Sequence, residues 1–219
     1  MAQFRDSELA HRYLDDLYGI EIGGSAHNPF NLPHCLNVDY SGSMDTIFKQ
    51  AEYEMCGKKL PVDIVADGSD LPIADESVDY VISSHMIEHI FDPIACIKEW
   101  LRVIKPGGYI FTIAPIKEYV PGEKRPITKL QELIYRHSGI IKPEDVPMGW
   151  NEITGEDGEL SNAVTSGIIN NEETGHFTVF DLALFVEMCN YIGGCKVIKK
   201  MSNDDKVGNG FCVLLLKNK

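Results

Sequence analysis

The sequence lacks most of the features that place a chain in a specialised class. No apolar run approaches the ~20 residues needed to span a bilayer, and the longest candidate, Phe211 to Leu216, has strand length. Membrane insertion is therefore not expected. Met1 to Asp6 has no basic stretch leading into an apolar one, so the expectation is a cytoplasmic protein without a secretory signal. The six cysteines (35, 56, 96, 189, 195, 212) include no Cys-x-x-Cys pair. That spacing excludes the common zinc and redox motifs and fits reduced thiols in a core. Basic residues are in deficit, with 20 Lys and Arg against 33 Asp and Glu and a net charge of −13. A broad grip on nucleic acid needs a basic face, so nucleic acid is not an expected partner. Internal repeats and low-complexity tracts are also missing.

What is present is ordinary globular material: 219 residues, 44% hydrophobic and 24% charged. That length suits one domain and buries a core without disulfide or metal staples. Ser7 caps a first helix, with Leu9, Tyr13 and Leu17 as its stripe. Strands follow at Ile20–Ile22, Cys35–Tyr40, Val62–Ala66, Val78–Ser83 and Tyr109–Ala114. Between them, Met44, Ile47, Phe48, Ala51 and Met55 mark the buried face of one helix. Asp92-Pro93 starts another, an N-cap carboxylate followed by proline, and Lys105-Pro106-Gly107-Gly108 ends it. Strands alternating with helices predict a parallel sheet covered on both faces. After His176 come a helix over Phe180–Ile192 and two strands, Cys195–Lys200 and Phe211–Leu216, joined by a short antiparallel turn.

The region 116–175 differs. It is rich in proline, carries an acidic run over Asn151–Glu159, and has one plausible helix, Thr128–His137. At this length it is expected to be an insertion or lid that faces a substrate rather than a passive connection.

The chemistry gathers at the ends of the predicted strands. Glu21-Ile22-Gly23-Gly24-Ser25 follows the first, where glycines permit a sharp turn and close backbone approach to a ligand. It is neither a Gly-x-Gly-x-x-Gly fingerprint nor a phosphate loop. Asp39 ends the second strand, where an acidic side chain can accept hydrogen bonds from ribose hydroxyls. Asp67-Gly68-Ser69 follows the third. A carboxylate-lined edge suits a ligand with hydroxyls and a cationic group, and disfavours pyrophosphate.

With these residues in place, the sequence resembles the class I S-adenosylmethionine (SAM)-dependent methyltransferases. Glu21-x-Gly23-Gly24-Ser25 resembles the family's first motif, Asp39 its ribose-binding acid, and Asp67, Gly68 and Ser69 its adenine-side motif. Leu71-Pro72-Ile73-Ala74-Asp75-Glu76-Ser77-Val78-Asp79 and Arg102-Val103-Ile104-Lys105-Pro106-Gly107-Gly108 resemble two further family segments. The resemblance is good from Gly19 to Pro115 and looser from His176 to Leu216. It implies an α/β, Rossmann-like three-layer sandwich around a seven-stranded, mostly parallel sheet whose last strand is antiparallel. It also implies SAM as cofactor and S-adenosylhomocysteine (SAH) as product, held by Glu21, Gly23, Gly24, Ser25, Asp39, Asp67, Gly68, Ser69 and Ser84. The first motif departs from the family's usual Gly-x-Gly, continuing Gly24-Ser25-Ala26-His27-Asn28-Pro29. A similar run marks small bacterial methyltransferases associated with surface-glycan synthesis.

His85-Met86-Ile87-Glu88-His89 follows the fourth strand. In a helix, positions 85, 88 and 89 would share one face and could hold a divalent metal. The spacing resembles the Glu-x-x-Glu-His metal motif of small-RNA 2′-O-methyltransferases and ubiquinone-pathway O-methyltransferases, with His85 in place of the first Glu and His176 as a candidate fourth ligand. Equally, Glu-His here is common in methyltransferases that bind no metal. His176 suits a general base, since an imidazole titrates near neutrality; His85 and His89 are its catalytic companions, and His137 is a weaker candidate. Tyr119, Tyr135 and Trp150 could stack on a ring.

The leading expectation is O-methylation of a hydroxyl on a small molecule or sugar/glycan precursor. The alternatives are an RNA-ribose 2′-O-methyltransferase, a non-catalytic SAM- or SAH-binding module, and a nicotinamide dehydrogenase. The last lacks its third glycine and its Tyr/Lys pair.

Overall fold

The computed structural model describes residues 4–24, 29–120, 123–146, 168–169, 172–173 and 175–219. Its centre is a sheet of seven strands in the order β3-β2-β1-β4-β5-β9-β8. In chain order these are β1 (Gly19–Ile22), β2 (Cys35–Asp39), β3 (Ile64–Val65), β4 (Val78–Ser84), β5 (Ile104–Pro115), β8 (Cys195–Met201) and β9 (Gly210–Lys217). A separate two-stranded hairpin pairs β6 (Ile168–Ile169) with β7 (Glu172–Glu173). Strands β1 to β5 pair in parallel, and β9 runs antiparallel to both β5 and β8. The sheet is thus the expected one, mostly parallel with an antiparallel last strand.

Helices α1 (Glu8–Leu14), α2 (Ile47–Cys56), α3 (Pro93–Val103), α4 (Leu130–His137) and α5 (Leu182–Ile192) surround it. Successive strand residues point to opposite faces, and the core divides accordingly. Tyr80, Ile82, Phe111, Ile113, Cys212 and Leu214 pack with α1 on one face. Val81, Ile110, Phe211, Val213 and Leu215 pack with α3 and α5 on the other. The caps expected at Ser7 and Asp92 are in place, and Asp181 adds a third. Ser7 accepts from the Ala10 N–H, Asp92 from Ala95 and Asp181 from Leu184. Among the described residues no helix is long and apolar enough to cross a membrane.

Two elements differ from the sequence reading. Lys105–Gly108 does not separate helix from strand; it is the irregular beginning of β5, whose register shifts between Val78 and Tyr80 of β4. A Cβ on Gly108 would stand 2.3 Å from the Asp79 carbonyl oxygen, so the close approach needs glycine. In α2 the fully buried side chains are not the apolar stripe but Lys49 and Glu52, 1% and 0% exposed and 2.9 Å apart. Lys49 Nζ donates to the Leu60 carbonyl and Glu52 Oε1 accepts from the Leu60 N–H, while Met55 stays exposed. Apolar periodicity cannot anticipate a buried charged pair whose hydrogen bonds are satisfied by a loop backbone.

The loop 202–209 between β8 and β9 is tightly organised. The Asp204 carboxylate accepts from the N–H groups of Lys206, Val207, Gly208 and Gly210. Asp205 reaches α1, accepting from Ser7 Oγ at 2.7 Å and Leu9 N at 2.9 Å. Burial would raise the pKa of Asp204, but these four donors outweigh it and hold the carboxyl below its ordinary value. A depressed carboxyl pKa stabilises the fold above the unfolded-state value, and that stability is lost as pH falls through the folded value. Asp204→Asn is expected to cost roughly 1–3 kcal/mol at pH 7. In urea denaturation the gap to wild type should narrow at acid pH; a constant gap would contradict this assignment.

Candidate active site

The parallel register brings the carboxyl ends of the first strands to one edge, with Ile22 opposite both Val38 of β2 and Ser83 of β4. Glu21, in β1, is 5% exposed, and its Oε2 accepts from the Phe30 N–H at 3.0 Å. Burial pushes its pKa up to about 7, against the pull of that N–H and of Lys206. Beyond it Gly23 takes φ +71°, which a side chain rarely adopts, and donates its N–H to Val38 O at 2.9 Å. A Cβ on Gly24 would stand 2.8 Å from Glu21 Cδ. Ser25 lies outside the described residues.

Asp39 ends β2 and is buried. Past β3, Asp67 Oδ1 accepts from both the N–H and the hydroxyl of Ser69, at 2.7 and 2.6 Å, so Ser69 shapes this loop. The Gly68 carbonyl receives the Trp100 indole N–H at 2.8 Å, tying the loop to α3. Met86 lies between the two glycine turns: a Cβ on Gly23 would come 3.0 Å from its Cγ, and one on Gly68 3.2 Å from its Cε. Nothing in the sequence reading singled out Met86.

The histidine-rich segment departs from the expected helix. Only Ile87–His89 forms a single 3-10 turn, and His85 precedes it at φ +52°. His85 therefore shares no helical face with Glu88 and His89. Its ring is turned instead toward Ser84 Oγ (3.0 Å from Nδ1) and Asn209 Oδ1 (2.8 Å from Nε2). Burial pushes its pKa down to about 4.

The structure gathers Glu88, His89 and His176, whose potential ligand atoms lie within 4.8 Å of one another. Phe177 N and Thr178 N donate to the Glu88 carbonyl at 2.9 and 3.2 Å, which joins the exit of β4 to the segment carrying His176. The two imidazoles meet edge to face, 4.7 Å between centroids and 84° between planes. His89 Nδ1 is 3.1 Å from the Gly175 carbonyl. Glu88 is 1% exposed and its Oε2 has no hydrogen-bond partner; burial raises its pKa to about 8. Burial also lowers His176 well below its ordinary value, helped by His89, Arg125 and His85.

The described part of the 116–175 segment supports this cluster. Thr128 pairs with Val179 through its N–H and its Oγ1, both at 3.0 Å. The buried Arg136 donates to Phe177 O at 3.1 Å and Thr178 Oγ1 at 3.0 Å, and pairs with Glu132. Arg125 is held by Glu123, 2.6 Å away, and acts on His176. His137 lies elsewhere, between Asp92 Oδ2 and Lys98 Nζ, docking α4 on α3. Tyr119 and Tyr135 are exposed; Trp150 and the acidic run lie outside the described residues. The sequence reading missed Arg125, Arg136 and Asn209, which act from distant stretches with no local motif.

Residues 20–112, from β1 into β5, match the family model of the methyltransferase domain. An uncharacterized protein of Methanocaldococcus jannaschii is 27% identical over 142 residues, 64% of each chain. A probable S-adenosylmethionine-dependent methyltransferase of Mycolicibacterium smegmatis is 35% identical over 60 residues, 27% of this chain and 23% of its own. A malonyl-[acyl-carrier protein] O-methyltransferase of a Marinomonas species is 47% identical over 47 residues, 22% of this chain and 17% of its own. The chain thus spans under two thirds of the length of these relatives. Among solved structures, a chain of the complex between the Haloferax volcanii Trm112 methyltransferase activator and a methyltransferase has a TM-score of 0.52 at 14% identity, covering 93% of this chain and 82% of that one. An S-adenosylmethionine dependent methyltransferase from Mesorhizobium loti has a TM-score of 0.50 at 12% identity, covering 92% and 91%. These likenesses show the Rossmann-like methyltransferase fold.

The burial of Glu88 has a measurable consequence. The folded state keeps its proton up to about pH 8, while the unfolded state releases it near 4.5. Stability therefore falls as pH rises between those values. Glu88→Gln is expected to remove this slope, so that in EDTA the variant gains on wild type from pH 5 to pH 8 in urea denaturation. An unchanged difference at the two pH values would contradict it.

Proposed function

We propose that the protein is a SAM-dependent methyltransferase that methylates a hydroxyl on a small molecule or sugar/glycan precursor. The observation that carries this reading is the adjacency of two groups at one sheet edge: the carboxylates and glycine turns after β1, β2 and β3, and the Glu88–His89–His176 cluster after β4. The edge suits a close ligand by its own construction, since Gly23 turns at φ +71° and a Cβ on Gly23 or Gly68 would press on Met86. Glu21, Gly23, Gly24, Ser25, Asp39, Asp67, Gly68, Ser69 and Ser84 would hold SAM, with Asp39 accepting from the ribose hydroxyls. When bound, SAM supplies a methyl group on a sulfonium, which needs an aligned nucleophile in a dry site.

His176 then serves as the base. Its depressed pKa keeps the imidazole unprotonated at neutral pH, ready to take a proton from an acceptor hydroxyl. His89 and His85 flank it as catalytic companions. The O-methyltransferase among the relatives agrees with an oxygen acceptor, and the first motif's resemblance to the surface-glycan type favours a sugar. The segment 116–175 is read as a lid within a single domain, because its described part holds the segment after His176 in place.

A second reading adds a divalent cation held by Glu88, His89 and His176. It is favoured by the buried Glu88 Oε2 with no protein partner, and such a cation would acidify the acceptor hydroxyl.

Calorimetric titration with SAM and SAH, each with and without EDTA, tests the proposal. Wild type is expected to bind both at micromolar Kd, and Asp39→Ala to lose about tenfold or more, as a lost bond to a charged group would give. Methyl-labelled SAM incubated with glycosides and nucleotide sugars should leave base-stable label. His176→Asn should cut that label while keeping SAH binding. Folded wild type that binds neither ligand overturns the reading. Loss of labelling, but not of SAH binding, on EDTA treatment selects the reading with a cation.

A further inference from the structure

The loop 202–209 enters the candidate site from near the end of the chain, far from every recognised motif. The Asp204 carboxylate holds it rigid, and the Asn209 carbonyl receives the Ile116 N–H at 3.0 Å, which fixes Asn209 beside the end of β5. From there its side-chain Oδ1 lies 2.8 Å from His85 Nε2. On the other side of the ring, Nδ1 lies 3.0 Å from Ser84 Oγ. His85 is held at φ +52°, a conformation that turns the chain sharply out of β4, and its own N–H donates to the Ile113 carbonyl.

These contacts fix proton positions. An amide oxygen only accepts, so the proton of a neutral His85 ring must sit on Nε2. Nδ1 then carries the lone pair and accepts a hydrogen bond from the Ser84 hydroxyl. The Ser84 oxygen is left as an acceptor at the end of β4, next to the end of β1. Nearby charges oppose one another: Asp204 favours the protonated ring, Lys206 disfavours it, and burial outweighs both and keeps it neutral.

We propose that Asn209 is a positioning residue of the cofactor site: by setting the His85 tautomer it makes the Ser84 hydroxyl an acceptor for the cofactor's ammonium group. The inference rests on the methyltransferase reading for its ligand, and on the geometry alone for its tautomer. Asn209 touches no cofactor itself and acts through His85 and Ser84.

The test combines ring nitrogen NMR of 15N-labelled protein with SAH titration. Wild type is expected to show His85 as the neutral Nε2–H tautomer at pH 7. Asn209→Leu should abolish that pattern and weaken SAH by about five- to tenfold, the scale of one lost hydrogen bond. Asn209→Asp keeps an acceptor oxygen and should retain the tautomer at pH 8, with SAH affinity within about twofold, since the bond is preserved. Ser84→Ala should weaken SAH like Asn209→Leu while leaving the His85 tautomer unchanged, which keeps the test open if the Leu variant does not fold. An Nδ1–H tautomer in wild type overturns the proposal, because the amide would then present its NH2 group. Unchanged SAH affinity in both Asn209→Leu and Ser84→Ala overturns it as well. Failure of wild type to bind SAH instead overturns the methyltransferase reading, and the ring pattern then stands or falls alone.

Discussion

A sheet buried on both faces has nowhere to gather polar groups except at its ends. In this protein Tyr80, Ile82 and Phe111 fill one face and Val81, Ile110 and Phe211 the other, so the strands are close to continuously apolar until they stop. The carboxyl edge is where they stop together, because β1, β2 and β4 are paired in parallel and in register. Glu21, Asp39, Ser84 and the turn through Glu88 and His89 all collect there. The site follows from the sheet, and the loop 202–209 meets it through Asn209.

Burial sets the charge state of that edge. It pushes Glu21 up to about 7 and Glu88 up to about 8, and pushes His85 down to about 4 and His176 lower than usual. Each group moves toward its neutral form, although the chain as a whole carries −13. A carboxyl group held neutral by desolvation responds to a charged guest, since a nearby cation favours its ionised form. A sulfonium and an ammonium on one side, or a metal ion on the other, would each act in that direction.

Much of the sheet was legible because its signals are local. Ser7 and Asp92 cap helices by contacts three residues ahead, and the apolar runs of β4 and β9 follow from two-sided burial. The motif residues after β1, β2 and β3 were legible for the same reason. What escaped depends on long-range contacts. The buried Lys49–Glu52 pair is stable only because the Leu60 backbone completes it. His85 leaves the expected helical face because Asn209, on another element, holds its ring. His176 meets His89 only because the Glu88 carbonyl takes the N–H groups of Phe177 and Thr178. No spacing along the chain records such pairings.

The central claim is that one sheet edge, and no other surface, binds the cofactor. Hydrogen–deuterium exchange of the intact protein with and without saturating SAH tests it most directly. The account predicts slowed exchange in the segments ending β1, β2 and β4, in the 66–70 turn and around 84–89, with β8 and α5 unchanged. Protection confined to α4 and α5, or none anywhere despite saturating ligand, would contradict it.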